Sequence, residues 1–193
     1  MISNILKKLC ARVRGFTLIE TLIAVLLLSV AVTGPLTIAS KGLTATLTAK
    51  DQFVAYYLAQ DAMEQVRYLR DSACLAAGVQ PSGCPSGTWL SNLSACKSVD
   101  GSTACYLDSL AVDPAVATAC SGSCPLMKYD PSTKIFRYTS GTATPQQFIR
   151  SVYVKNDPAT PDEAAVTVTV SWVDVAGVTH RPATVRGNIF RWQ

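Results

Sequence analysis

The sequence has one histidine, His180, and only 16% charged residues. A single histidine excludes multi-histidine metal centres and most histidine-based catalysis. Few charges beside 49% hydrophobic residues exclude a disordered chain, which carries the opposite balance. No two cysteines form a CxxC pair, so the thioredoxin-like redox motif and the close ligand pairs of structural zinc sites are both missing. No glycine-rich phosphate loop follows a strand pattern, and no aspartate-rich calcium loop occurs. No nucleophile–base pairing and no internal repeat is visible. The expectation is a non-enzyme without metal or cofactor. Beyond residue 14 no Lys/Arg cluster makes a phosphate-tracking patch, so no direct nucleic-acid contact is expected.

The length, 193 residues, suggests one domain with an appendage. The net charge of +4 is local. Lys7, Lys8, Arg12 and Arg14 supply it, and the remaining thirteen basic residues balance thirteen acidic ones. Immediately after this arm the chain is almost continuously apolar from Phe16 to Ile38. At ~1.5 Å rise per residue that stretch reaches roughly 34 Å, enough to cross a bilayer core. The positive-inside rule keeps the basic arm in the cytoplasm and exports the chain beyond Ser40. Ala31-Val32-Thr33 and Ala39-Ser40 are weak matches to a secretory cleavage site.

Glu20 interrupts the apolar run near its start. A carboxylate within a membrane span costs ~2.5–3.5 kcal/mol on insertion scales and is a functional candidate unless it reaches back to the headgroups. Gly15-Phe16-Thr17-Leu18-Ile19-Glu20, with its basic leader and apolar helix, resembles the prepilin peptidase motif of type IV pilins and type II secretion pseudopilins. The resemblance implies cleavage between Gly15 and Phe16 and methylation of the new Phe16 amine. It also implies that Glu20 pairs with the Phe16 amine of a neighbouring subunit during assembly. Leaving one charge of such a buried pair alone is costly, so Glu20 reads as an assembly register.

Gly34-Pro35 breaks the helical pattern, because proline lacks an amide donor and glycine loosens the backbone. It reads either as a helix end at the far membrane face or as a kink within one long helix; the kink is favoured. Apolar positions Leu43, Leu47, Val54, Leu58, Ala62, Val66 and Leu69 then recur at helical spacing, so the helix is expected from about Phe16 to Ser72. Its stretch Tyr57–Arg67, YLAQDAMEQVR, is similar to the A-x-x-x-[ML]-E-x-x-R region of pilus-modification minor pilins and of the related minor pseudopilin.

Residues 73–132 are rich in Gly, Ser and Pro and hold Cys74, Cys84, Cys96, Cys105, Cys120 and Cys124. Cys10 lies in the leader. Six exported cysteines most simply form three disulfides, in any of fifteen connectivities. Cys120 and Cys124 are close enough to close a small loop on themselves.

After Pro131 the period becomes two. Strands are expected at 134–138, 147–155, 165–175 and 182–192, as four antiparallel strands covered on one face by the amphipathic helix. Trp89, Trp172 and Trp192 read as core or edge anchors, and His180 as a surface residue in a turn.

The expected class is α+β. The order of long helix, cysteine-rich loop and antiparallel sheet resembles the type IV pilin fold, and the terminal VSWVDVAGVTHRPATVRGNIFRWQ resembles the last strands of minor pilins. The expected organisation is a cleaved leader (1–15), a transmembrane and assembly helix (16–39), an amphipathic helix of the head (40–72), a cysteine-rich loop (73–132) and a sheet (133–193). The resemblance implies a minor pilin, with a type II secretion minor pseudopilin as the alternative. Implied partners are prepilin peptidase, the bacterial inner membrane, and other pilins or pseudopilins contacted through the N-terminal helix. The implied final location is a pilus or the cell surface. A membrane-anchored exported binding protein or enzyme needs neither Gly15, Glu20 nor the basic leader in this arrangement.

Overall fold

The computed structural model describes residues 15–78, 83–108 and 117–191. The basic arm, Cys10 and Trp192 lie outside the described residues. The chain divides into two compact units, 1–47 and 48–193. The division falls inside one helix, α1 (Leu18–Ala76).

In the first unit, α1 is apolar and exposed all round, and the helix is long and apolar enough to cross a membrane. Its hydroxyl side chains are satisfied within the helix. Ser29, Thr33 and Ser40 donate to the carbonyls of Leu26, Val30 and Thr37, and Thr37 and Thr44 donate to those of Thr33 and Ser40. A hydroxyl bonded this way presents little unmet polarity to hydrocarbon. The helix is continuous through Pro35, so it does not end at the Gly34-Pro35 break. Pro35 still removes the amide that the Ala31 carbonyl would accept.

In the second unit, the remainder of α1 buries Ala55, Leu58, Ala59, Ala62, Met63, Val66 and Leu69. Leu43 and Leu47, expected in the same apolar stripe, are exposed. The helix extends to Ala76, four residues beyond its expected end, because nothing in Ala73-Cys74-Leu75-Ala76 opposes it. Gly78 (φ +77°) ends it, its amide donating to the Leu75 carbonyl at 3.2 Å.

The strands, in chain order, are β1 (Lys97–Ser98), β2 (Cys105–Tyr106), β3 (Thr118–Ala119), β4 (Lys128–Asp130), β5 (Ile135–Arg137), β6 (Thr142–Ala143), β7 (Gln147–Lys155), β8 (Glu163–Val173) and β9 (Ala183–Phe190). The three long strands form an antiparallel meander, registered by Val152 opposite Val168 and by Val168 opposite Val185. Their alternation is what the sequence predicts. Phe148, Val152, Val154, Val166, Val168, Val170, Trp172, Ala183 and Ile189 join the buried face of α1 in one hydrophobic core. At ~25 cal/mol per Å² of apolar surface, this two-layer contact is the main force holding the head together.

The expected four-stranded sheet differs from the observed one. Among the described residues, the sheet order is β3-β2-β7-β8-β9, with β1 running parallel beside the end of β7. Two short strands of the cysteine-rich segment, β1 and β2, therefore pair with β7, and the expected strand at 134–138 is not part of this sheet. That segment instead forms a separate sheet, β5-β4-β6. The reason is local. Asp130-Pro131-Ser132-Thr133-Lys134 makes a tight turn, with the Lys134 amide donating to the Asp130 carbonyl at 2.8 Å. The chain then pairs with its immediate predecessor, Tyr129 opposite Phe136. Gly141 (φ +105°) lets β6 close on the other side, where a Cβ would lie 2.6 Å from the Tyr129 carbonyl oxygen.

Candidate functional site at the helix start

Gly15, Phe16 and Thr17 precede the first turn of α1 in non-helical backbone, and all three are exposed. Thr17 caps the helix. Its side-chain oxygen accepts from the Glu20 amide at 3.3 Å, and its carbonyl accepts from the Glu20 and Thr21 amides at 3.0 and 3.2 Å. The spacing Thr17-Leu18-Ile19-Glu20 is that of a capping box. Glu20 is thus the acidic residue of the first turn, where the positive end of the helix dipole favours a carboxylate. Sequence reasoning found Glu20 but missed Thr17, although a threonine three residues ahead of a glutamate was its available signal.

The site has a simple chemical consequence. The peptide bond after Gly15 is accessible, and a chain beginning at Phe16 would place a free amine one residue before the cap. Glu20 presents its carboxylate from the same end of the helix. The arrangement suits recognition of a partner's cationic group.

The six expected cysteines are all paired: Cys74–Cys84, Cys96–Cys105 and Cys120–Cys124. Cys84, Cys96 and Cys105 are fully buried. Arg191 reinforces the first loop by donating to the Cys84 carbonyl at 2.8 Å while its guanidinium holds Asp162. Among the described residues no three His, Cys, Asp or Glu side chains gather as a metal site.

His180 is half-buried. It stacks on Trp172 with ring centroids 5.6 Å apart and pairs through Nε2 with Asp174 Oδ2 at 2.8 Å. That hydrogen bond, followed by those from the Val178 and Ala176 amides, holds the Asp174 carboxyl below its ordinary value. Trp89 and Trp172 are buried as expected. Glu64 and Arg67 form an ion pair one helical turn apart, exposed on both sides.

A second residue escaped the sequence reading. Arg150 is fully buried in β7, on the same face as Phe148, Val152 and Val154. Its phase in QFIRSVYVK marks it as inward-pointing.

A family model described as the prokaryotic N-terminal methylation motif matches residues 10–34. The chain therefore carries a type IV prepilin-like signal, one that implies processing by prepilin peptidase, assembly with other pilin-type subunits and a membrane anchor. The long helix packed on antiparallel sheets, with its disulfides, matches a type IV pilin-like fold. No curated protein matches the chain. No solved structure matches it either.

Proposed function

We propose that this protein is a minor type IV pilin. Prepilin peptidase cuts between Gly15 and Phe16, and the Phe16 amine is methylated. The processed subunit is then incorporated into a type IV pilus or primes its assembly. It is a structural subunit and not a catalyst, and its exposed head is free for adhesion or DNA-uptake contacts. The observation that carries this reading is Glu20 in the first, threonine-capped turn of a helix whose residues up to Ser40 are otherwise uncharged, five residues after Gly15. A lone carboxylate there is costly in hydrocarbon and becomes useful when a neighbour's Phe16 amine meets it.

Gly34 and Pro35 serve as a bending point. The helix persists through them but lacks one backbone hydrogen bond. The six paired cysteines support residence of the head in an oxidising compartment. The disulfide-rich segment favours the pilus over the secretion system, because it offers a system-specific outer surface.

The test is intact-protein mass spectrometry, without reduction, on filaments sheared from native cells. The expected mass is that of Phe16–Gln193 plus one methyl group, less the hydrogens of three disulfides. The same processed species found only in the envelope, and absent from filaments, would assign the chain to a type II secretion pseudopilus instead. A retained leader in cells with active prepilin peptidase would overturn both.

A further inference from the structure

Each disulfide joins cysteines that are consecutive along the chain. Cys74 pairs with Cys84, Cys96 with Cys105 and Cys120 with Cys124, at separations of 10, 9 and 4. This is one of fifteen possible connectivities for six cysteines. Loop entropy alone does not select it. Cys84 and Cys96 stand twelve apart, and closing that loop is only about 1.3-fold less favourable than closing Cys74–Cys84. Against Cys96–Cys105 the disadvantage is about 1.5-fold. An unfolded chain with all six thiols exposed therefore mispairs readily.

Order of arrival selects it when an oxidase acts within the interval between successive cysteines, since the pace of disulfide formation is set by the oxidant and not by loop closure. Closing a ten-residue loop takes roughly 10–100 ns. Twelve further residues arrive at about 5–20 per second, so they need on the order of a second. A chain threaded outward behind its N-terminal anchor presents Cys84 to Cys74 long before Cys96 appears. The same holds at each later step. Once folded, Cys84, Cys96 and Cys105 are fully buried and closed to exchange.

We infer that a dithiol oxidase of the exported compartment forms these three disulfides in order of emergence, and that no disulfide isomerase is needed. This rests on the exported orientation proposed above. At each step the thiolate of the earlier cysteine attacks the oxidase disulfide and forms a mixed disulfide. The later cysteine's thiolate then displaces the reduced oxidase. Two electrons pass to the oxidase per pair, and the two thiol protons leave to solvent or to the oxidase thiols.

The experiment maps disulfides by non-reducing peptide mass spectrometry on the full chain from cells with and without the compartment's disulfide isomerase. In parallel, the purified chain is reduced and unfolded in detergent and urea, then reoxidised with glutathione disulfide, with and without isomerase. In cells the three native pairs are expected at a yield unchanged within about twofold. In the reoxidised chain native pairing is expected in under half the molecules, rising severalfold with isomerase. Mispairing in isomerase-deficient cells, or native pairing from the unfolded chain without isomerase, would overturn the inference. Fully reduced thiols in cells with an intact oxidase would overturn the exported orientation instead.

Discussion

The guanidinium of Arg150 meets the carboxylate of Asp61 at 2.7 Å, joining the middle strand of the head to the helix above it. The two ends differ. Arg150 is fully buried, whereas the Asp61 side chain is about half exposed. Arg150 also donates to the carbonyls of Leu58 and Leu107, at 3.1 and 2.6 Å, and lies over the Tyr138 ring. One side chain thus ties α1, β7 and the cysteine-rich segment together. Arg150→Ala should destabilise the protein by about 3–5 kcal/mol, because it leaves buried acceptors unmet and opens a cavity. Asp61→Asn keeps an acceptor in place at a partly solvated site and should cost about 1 kcal/mol. Urea unfolding of the full chain in detergent checks the order of the two effects, and equal losses would contradict this assignment.

The disulfides should contribute unequally. In the chain-entropy model, a ten-residue loop is worth about 2.7 kcal/mol and a four-residue loop about 1.9 kcal/mol. Cys74 and Cys84 are also buried, so their removal disturbs packing, whereas Cys120 is half-buried beside the exposed Ser121-Gly122-Ser123 tip. The double variant Cys74→Ala/Cys84→Ala should therefore lower the urea midpoint more than Cys120→Ala/Cys124→Ala does. The reverse order would show that the small loop supports more of the head than its contacts indicate.

Strong local periodicity made part of this fold legible. The alternation of Val166, Val168, Val170 and Trp172 against Thr167, Thr169 and Ser171 is a period-two signal that needs no tertiary information, and β8 obeys it. The apolar run after Gly15 is equally explicit. The hidden parts depend on contacts between distant segments. Lys97–Ser98 and Cys105–Tyr106 are too short to show a period, and they become strands through partners distant in sequence, β7 for the first and β3 and β7 for the second. Ile135–Arg137 was readable as a strand, but its partner was set by the turn at Pro131, which looked like a boundary. Arg150 was hidden by its charge, although its position in the strand alternation pointed inward.

Two aspartates near one another should respond to pH in opposite senses. Burial pushes the Asp51 carboxyl up; Lys50 and His180 oppose this, and Asp174 adds to it. A raised folded value means that the charged form opposes folding at neutral pH. That cost is absent below the ordinary carboxylate value and grows as pH rises through the folded one. Asp51→Asn should therefore raise the melting temperature at pH 7, with the gain shrinking toward pH 3.5. Asp174 is held low, chiefly by His180, so its contribution is present at neutral pH and fades as pH falls through its depressed value. Asp174→Asn should lower the melting temperature at pH 7 and converge on the parent in acid. Thermal melts of both variants at the two pH values test the signs, and a loss at pH 7 for Asp51→Asn would show that its carboxylate is favourably held.

Glu20 has two separable tasks, and substitutions distinguish them. Its amide donates to the Thr17 cap, which any residue but proline at that position preserves. Its carboxylate is what a neighbour's Phe16 amine would meet. Glu20→Ala and Glu20→Gln both keep the cap and remove the charge. Cleavage after Gly15 should proceed, since the peptide bond and its flanks are unchanged. Incorporation into filaments should fall at least about tenfold, because an incoming amine left without its carboxylate costs more than ~1.4 kcal/mol in an apolar bundle. Thr17→Ala does the converse. It removes the cap at about 1 kcal/mol but leaves the charge, so incorporation should fall less. The ratio of processed subunit in sheared filaments to that in the envelope measures each effect. Wild-type incorporation of Glu20→Gln would mean that the carboxylate does not set the register. A Thr17→Ala defect as severe as that of Glu20→Ala would shift the role from the charge to the geometry of the helix start.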